Sequence, residues 1–247
     1  MHCPASNRLS EGQPNPETEH SKAGTAAHAV LEKCLKGNVP PETFQDTVVE
    51  GVEVDEEMVE AVRLTADYVR LLAHAPGAVL WVERKFSLAG LRPPADMFGT
   101  SDVVVFLPET RTLHVLDFKY GQGYAVPARD NPQLRYYGLG ALLDIEREIG
   151  PGRIDRVELT ICQPRAVHAD GIIRSEFLTY HALADFTETL LDAARATLDP
   201  AAQPVVGSWC RWCRAQAICP AQRQHAMALA QVDFADTVAP PAPTSLA

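Results

Sequence analysis

The stretch GTSDVVVFLPETRTLHVLDFKY, residues 99–120, decides the fold. It holds two runs rich in β-branched and apolar residues, 103–106 and 112–118, with a turn-like Pro-Glu-Thr-Arg segment between them. This pattern predicts two antiparallel strands joined as a hairpin. Asp102 and Asp117 would then meet near one end of the hairpin.

The second strand of this hairpin brings a carboxylate beside an ammonium group. Side chains alternate along a strand, so Asp117 and Lys119 share one face while Phe118 points to the packed layer. Two carboxylates and a lysine at a strand end suit phosphodiester hydrolysis, because oxygen ligands hold a hard divalent ion and an ammonium can orient water. The alternative is a surface hairpin with a salt bridge, since short motifs often match by chance.

Composition limits the class of protein. With 247 residues, of which 46% are apolar, the chain can form one sizeable α/β domain with an appendage. The net charge of −10 argues weakly against a general polyanion binder, although acidic groups around a metal site would contribute to it. The sequence has neither a long apolar span nor the regions of a signal peptide, so we expect a cytoplasmic protein with six cysteines that are free, buried or metal-bound.

Apolar periodicity predicts the remaining elements. The predicted helices are 21–36, 56–73, 131–149 and 181–198, and the further strands are 79–88, 154–163 and 172–180. Asp55 is the expected N-cap of the second helix. His28 lies on the apolar stripe of the first helix and is either a core histidine or a metal ligand. Glu83 is either a further carboxylate near the site or a solvated strand residue, and the second is preferred. Residues 1–20 are expected to be irregular.

Three cysteines near the carboxyl end, Cys210, Cys213 and Cys219, have the spacing C-x2-C-x5-C. They need a fourth ligand to complete a zinc site or an iron–sulfur cluster. The candidates are Cys3, Cys34, Cys162 and His225. Cys3 is preferred because no apolar run buries it, whereas Cys34 and Cys162 read as inert core residues. The uneven gaps favour an iron–sulfur cluster over zinc, which remains the alternative.

The order of these signals resembles the RecB-like branch of the PD-(D/E)XK nuclease superfamily. The matching pieces are GTAAHAVLE (24–32), GTSD (99–102), DFK (117–119), QLRYY (133–137) and the cysteine pattern. The cysteines are similar to those of the AddB nuclease domain and the CRISPR adaptation nuclease, which carry a 4Fe-4S cluster. The resemblance also extends to phage-encoded nuclease-like proteins and covers roughly residues 3–225.

The resemblance implies a role for each matching residue. His28, Asp102 and Asp117, with the backbone carbonyl of Phe118, would bind Mg²⁺ or Mn²⁺. Lys119 would position the attacking water. The remaining implied residues are Gln133 and Tyr137, which would contact the substrate strand or brace the site, and Cys3, Cys210, Cys213 and Cys219, which would hold the cluster.

The expected fold is therefore α/β, with a restriction-endonuclease-like core in which helices flank a central mixed β-sheet. We expect an N-terminal cysteine segment (1–20), a nuclease core (21–200), a cysteine cluster region (201–231) and a disordered tail (232–247). The expected function is a metal-dependent DNA exonuclease of phage or prophage recombination and repair. It would act on a free DNA end beside a helicase, recombinase or single-strand-binding protein. The alternative is a catalytically weak iron–sulfur protein that binds DNA or acts in assembly.

Overall fold

A computed structural model describes residues 2–235 of the chain, with side chains to residue 231. The helices are α1 (Ser6–Ser10), α2 (Glu19–Gly37), α3 (Glu56–Ala73), α4 (Pro132–Ile149), α5 (Tyr180–Leu198) and α6 (Pro220–Ala235). The strands are β1 (Val48–Val49), β2 (Val52–Glu53), β3 (Val79–Ser87), β4 (Phe98–Leu107), β5 (Thr112–Phe118), β6 (Arg156–Cys162) and β7 (Ile173–Thr179). Among these described helices, none combines the length and the apolar character needed to cross a membrane.

The chain divides into two compact units. The first comprises Glu17–Leu191, and the second comprises Met1–Pro16 together with Asp192–Ala247. The second unit is thus built from two segments that are far apart in sequence. Of the predicted tail, residues 232–235 belong to α6 and residues 236–247 lie outside the described part of the chain.

The first unit is organised by a five-stranded sheet with the order β3-β4-β5-β6-β7. Strands β5 and β6 are parallel and every other neighbouring pair is antiparallel. The predicted mixed sheet with flanking helices is therefore confirmed. The predicted hairpin is also confirmed, because β4 and β5 pair antiparallel with Val103 opposite Leu116. The next position along this register places Asp102 opposite Asp117.

Helices cover both faces of the sheet, and alternation along the strands decides which side chains meet them. On one face, Val103 and Phe118 pack with the apolar residues of α2 and α3. On the other face, Val104 and Val115 pack with the apolar residues of α4 and α5. Phe118 has no exposed surface, so its predicted position in the packed layer is confirmed.

Side-chain caps fix where the helices around the site begin. Asp55 accepts a hydrogen bond of 2.8 Å from the backbone N–H of Met58, which confirms the predicted cap of α3. Asn131 accepts from the backbone N–H groups of Gln133 and Leu134 and so starts α4 just before Gln133. The prediction for residues 1–20 was wrong in part, since α1 lies within this segment and α2 begins at Glu19.

Candidate active site

The pairing of β3 with β4 is interrupted next to the predicted metal residues. Val82 pairs with Val103 and Arg84 with Ser101, but Glu83 and Asp102 between them form no regular pair. Glu83 has a left-handed backbone with φ of 54°, a conformation that non-glycine residues seldom adopt. The interruption shifts the alternation of side chains between the two faces of β3. The Glu83 side chain therefore lies on the sheet face that α2 covers.

Glu83 completes a group of three potential metal ligands. One ligand atom each from His28, Glu83 and Asp102 lies within 4.8 Å of the other two, and no other such group of three is found among the described residues. The preferred prediction, a solvated Glu83, was wrong, and the alternative of a further carboxylate near the site is the one observed, because the side chain is partly buried in this group. An acidic residue in the apolar run VLWVE was the available signal, but the left-handed conformation cannot be read from the sequence.

Backbone and ring contacts hold Asp102 and His28 in place. Oδ2 of Asp102 accepts a hydrogen bond of 2.7 Å from the backbone N–H of Phe118, while Oδ1 lies 3.4 Å from Nδ1 of His28. The Phe118 ring packs against the His28 ring with a centroid distance of 5.2 Å. Burial alone would lower the pKa of His28, but the Asp102 carboxylate outweighs burial and raises it. The role of the Phe118 carbonyl as a ligand stays a prediction.

Asp117 and Lys119 form a buried ion pair beside this group. Nζ of Lys119 donates to Oδ1 of Asp117 at 3.1 Å and lies 2.9 Å from Oδ2, so the predicted shared face is confirmed. Burial raises the pKa of Asp117 to about 6, and the nearby Asp102 charge acts in the same direction. The Lys119 charge acts in the opposite direction but does not outweigh them. Oδ2 is buried and accepts no well-directed hydrogen bond, which leaves a lone pair able to bind a cation.

Lys119 is held in its charged form. Burial would lower its pKa, but the adjacent Asp117 carboxylate and the charge of Asp102 raise it above its ordinary value. A lysine in this state donates hydrogen bonds and carries positive charge at neutral pH, and it cannot act as a general base.

The predicted substrate-contacting residues are neighbours on α4. Nε2 of Gln133 donates to the hydroxyl of Tyr137 at 3.1 Å. The Tyr137 ring packs edge-on against Phe86 of β3 with a centroid distance of 6.2 Å. The structure thus brings these residues to the side of the site that lies toward α4.

The four predicted cluster cysteines all belong to the second unit, where both segments of that unit contribute. Cys3, Cys210 and Cys213 line a cavity of about 910 Å³, whereas Cys219 is not among its lining residues. The backbone N–H of Val205 donates to Sγ of Cys3, and the backbone N–H of Gly207 donates to Sγ of Cys210, both at 3.4 Å. Such N–H donors stabilise negatively charged sulfur and tune iron–sulfur centres. The donor set therefore fits a thiolate-bound cluster.

Spacing of the sulfur atoms also bears on the choice between one ion and a cluster. All six cysteines are free, and no three of the cysteine sulfurs, all of which the structure describes, lie within 4.8 Å of one another. A single zinc ion holds its thiolates at about 2.3 Å and draws them closer together than this limit. A four-iron cluster spaces its ligands more widely, and the iron–sulfur and zinc assignments both stay predictions.

The other two cysteines are core residues, as predicted. Cys34 of α2 and Cys162 of β6 are fully buried. Burial raises the pKa of each thiol to about 11, and each therefore remains protonated at neutral pH. Neither belongs to the unit that holds the four cluster cysteines.

Fold and site together define a mixed α/β protein with a five-stranded central mixed sheet, flanking helices and a His/Glu/Asp group that can hold a metal ion. Comparison with family models identifies the family. The model described as "Protein of unknown function (DUF2800)" matches residues 1–244, and the chain belongs to this family. Among solved structures, the chain is similar to one described as "Crystal structure of SSO0001", with 12% sequence identity and a TM-score of 0.40 over 89% of this chain and 95% of that chain.

Proposed function

We propose that this protein is a metal-dependent DNA nuclease with a RecB-like PD-(D/E)XK core. The observation that carries the proposal is a convergence of five side chains where the interrupted β3–β4 pairing lies beside the end of β5, namely His28, Glu83, Asp102, Asp117 and Lys119. Carboxylates and an imidazole around a partly buried position, with one retained ammonium beside them, are an unusual combination for a purely structural site.

The residues present fit a divalent ion. His28, Glu83 and Asp102 would hold it, and Asp117 would contribute its buried Oδ2. Oxygen ligands favour Mg²⁺ and Mn²⁺, and the imidazole favours Mn²⁺ over Mg²⁺ because nitrogen ligands bind transition ions more tightly. When bound, such an ion supplies Lewis acidity toward phosphate and lowers the pKa of water.

The protein's own groups then have distinct tasks. The Lys119 ammonium donates a hydrogen bond to water or to phosphate oxygen and offsets negative charge that develops during hydrolysis. Asp117 fixes the direction of that ammonium through its other oxygen, Oδ1, which accepts the hydrogen bond of 3.1 Å from Lys119. Gln133 and Tyr137 form a hydrogen-bonded pair that can contact the sugar-phosphate strand from the side of α4.

The acidic chain requires local charge compensation at the site. A divalent ion and Lys119 together offset much of the charge of the three carboxylates, so the net charge of −10 does not prevent phosphate from binding there. We assign the activity to exonuclease action on a DNA end, in phage recombination or repair, with a helicase, recombinase or single-strand-binding protein as partner. We further assign a 4Fe-4S cluster to Cys3, Cys210, Cys213 and Cys219.

Degradation of end-labelled DNA tests the nuclease assignment. Single-stranded and double-stranded substrates are incubated with Mg²⁺ or Mn²⁺ and with wild type, Asp117→Ala or the control Asp67→Ala, which changes an exposed acid on α3. We expect wild type and the control to cut and Asp117→Ala to lose cleavage while remaining folded. Absence of cleavage by wild type on every substrate would instead favour a DNA-binding or assembly protein.

Metal analysis after anaerobic purification tests the cluster assignment. We expect iron and acid-labile sulfide in wild type and in the core variant Cys34→Ser, and loss of both in Cys213→Ser. A colourless protein that contains zinc and no iron would refute the iron–sulfur assignment.

A further inference from the structure

Strands β3 and β4 continue past the site as a two-stranded ribbon. Beyond the Glu83–Asp102 position the cross-strand pairs are Lys85 with Thr100 and Ser87 with Phe98. The face of this ribbon that carries the site can be assigned from packing, because the side chains of paired residues lie on the same face.

One face of the ribbon belongs to α4. Phe86 is buried in the core that α4 covers, and a Cβ atom added at Gly99 would collide with the Phe86 ring. The alternating positions, namely Lys85 on β3 and Thr100 and Phe98 on β4, therefore lie on the opposite face. Asp102 follows Phe98 and Thr100 in the same alternation and reaches His28 of α2 on that face.

The exposed side chains on this face are an aromatic ring and an ammonium group, whereas those of the metal group are an imidazole and carboxylates. Phe98, the first residue of β4, has 73% of its surface exposed. Lys85 is exposed and forms no ion pair with any residue that the structure describes. Proceeding along the ribbon, the face thus presents the acidic metal group, then a free ammonium, and then an exposed aromatic ring.

We propose that this face binds single-stranded DNA leading to the site, with a base stacked on Phe98 and a phosphate contacted by Lys85. This inference rests on the proposed nuclease function and specifies the form of its substrate. The rise along a strand places the Lys85–Thr100 pair about 7 Å and Phe98 about 13 Å from Asp102, within reach of nucleotides adjacent to a bound phosphodiester. Cations that track the backbone and aromatic rings that stack on bases are the two components of sequence-independent single-strand binding.

A single exposed aromatic residue is common on protein surfaces, and this chain supplies a direct comparison. Phe177 on β7 is 72% exposed, and β7 lies at the opposite edge of the same sheet. Phe98 and Phe177 are therefore matched in residue type and exposure, both lie in strands of one sheet, and they differ in their relation to the site. A stacking role predicts that only Phe98 contributes to DNA binding.

Fluorescence anisotropy of a labelled oligothymidine tests the proposal, with Ca²⁺ in place of Mg²⁺ to limit cleavage. We expect Phe98→Ala to weaken binding about tenfold, Phe98→Trp to preserve it and Phe177→Ala to leave it unchanged. Lys85→Ala should lower the slope of log affinity against log salt concentration by about 0.7, the value for one phosphate contact on a single strand. A blunt duplex hairpin of equal length should bind more weakly than the single strand.

Three binding results would overturn the proposal of a single-strand binding face. It fails if wild type does not bind the oligothymidine, if it prefers the duplex, or if Phe98→Ala binds as wild type does or no more weakly than Phe177→Ala. The nuclease assignment is judged separately by cleavage with Mn²⁺. If Phe98→Ala cleaves as wild type does, the nuclease assignment stands and the stacking site on Phe98 is refuted. If binding depends on Phe98 but no variant cleaves, the stacking site stands and the nuclease assignment is refuted.

Discussion

Glu83 and Asp102 lie opposite each other at the interruption of the β3–β4 ladder, and Glu83 reaches this position through a left-handed backbone with φ of 54°. Burial and the neighbouring Asp102 charge both raise the pKa of Glu83. The folded, metal-free protein therefore holds two like charges together and keeps one residue in a backbone conformation that costs about 1–2 kcal/mol. Such a combination is expected where a cation offsets the repulsion.

Glu83→Gln should raise the melting temperature of the metal-free protein, because the amide keeps the shape of the side chain and removes the repulsion from Asp102. The same change should reduce the stabilisation that added Mn²⁺ gives to wild type. Thermal unfolding with and without Mn²⁺ measures both effects. The control Glu60→Gln removes a carboxylate that pairs with Arg63 on α3 and should leave the response to Mn²⁺ intact. An unaltered response in Glu83→Gln would show that Glu83 is not a ligand.

Lys119→Gln should lower the rate of cleavage by about 10²–10³-fold, the effect of removing one donor that stabilises developing charge. Lys119 lies beside the carboxylates and is not a metal ligand, so Mn²⁺ binding should persist. Single-turnover cleavage and calorimetric Mn²⁺ titration separate the two properties. Loss of Mn²⁺ binding together with activity would mean that the lysine acts only by holding Asp117.

Gly140→Ala should destabilise the protein by about 1–3 kcal/mol, because the new Cβ would collide with the Phe86 ring where α4 packs on β3. Gly24→Ala is the matched control on α2, since no atom lies within 4 Å of its added Cβ. This control should stabilise the protein by about 1 kcal/mol through helix propensity alone. Urea unfolding of the two variants gives both values, and equal effects would contradict the close approach of α4.

Glu158→Gln tests a buried pair away from the site, in which Nδ1 of His114 lies 3.0 Å from Oε2 of Glu158. Burial would raise the pKa of Glu158, but the neighbouring His114 and Ser175 side chains outweigh burial and lower it. The ionised Glu158 carboxylate therefore stabilises the fold above the ordinary pKa of 4.5, and this contribution is lost as the pH falls through the folded value. At pH 7 the variant should be less stable by about 1–3 kcal/mol, and urea unfolding should show that this difference narrows toward pH 3.

Local pattern was sufficient to predict the hairpin and the pair of Asp117 with Lys119. Both depend on the two-residue alternation of a strand, which the sequence displays directly. The buried positions of Phe118 and Cys162 follow from the same periodicity, and the cap at Asp55 follows from residue type. These features need no knowledge of how the strands are arranged in the sheet.

The features that the sequence did not predict, or offered only as the less preferred alternative, depend on contacts between distant segments. Glu83 joins the site only because a left-handed residue shifts the alternation of β3 beside Asp102. The exposure of Phe98 depends on which part of the sheet face the helices leave uncovered, and an apolar residue type gives no indication of that. Cys3 lies next to Val205, about two hundred residues away in sequence. The cysteine spacing suggests that these segments meet, but only the folded chain shows it.

The cysteine-lined unit also has a consequence for the order of events during synthesis. Chains fold from the amino end as they leave the ribosome, and Glu17–Leu191 is a continuous segment that can fold as soon as it has emerged. Cys3 is made first but must wait, unpartnered, until the segment that bears Cys210 and Cys213 has been translated. If the proposed cluster is bound by these cysteines, its insertion would follow translation of the last of them and would mark a chain that is nearly fully synthesised.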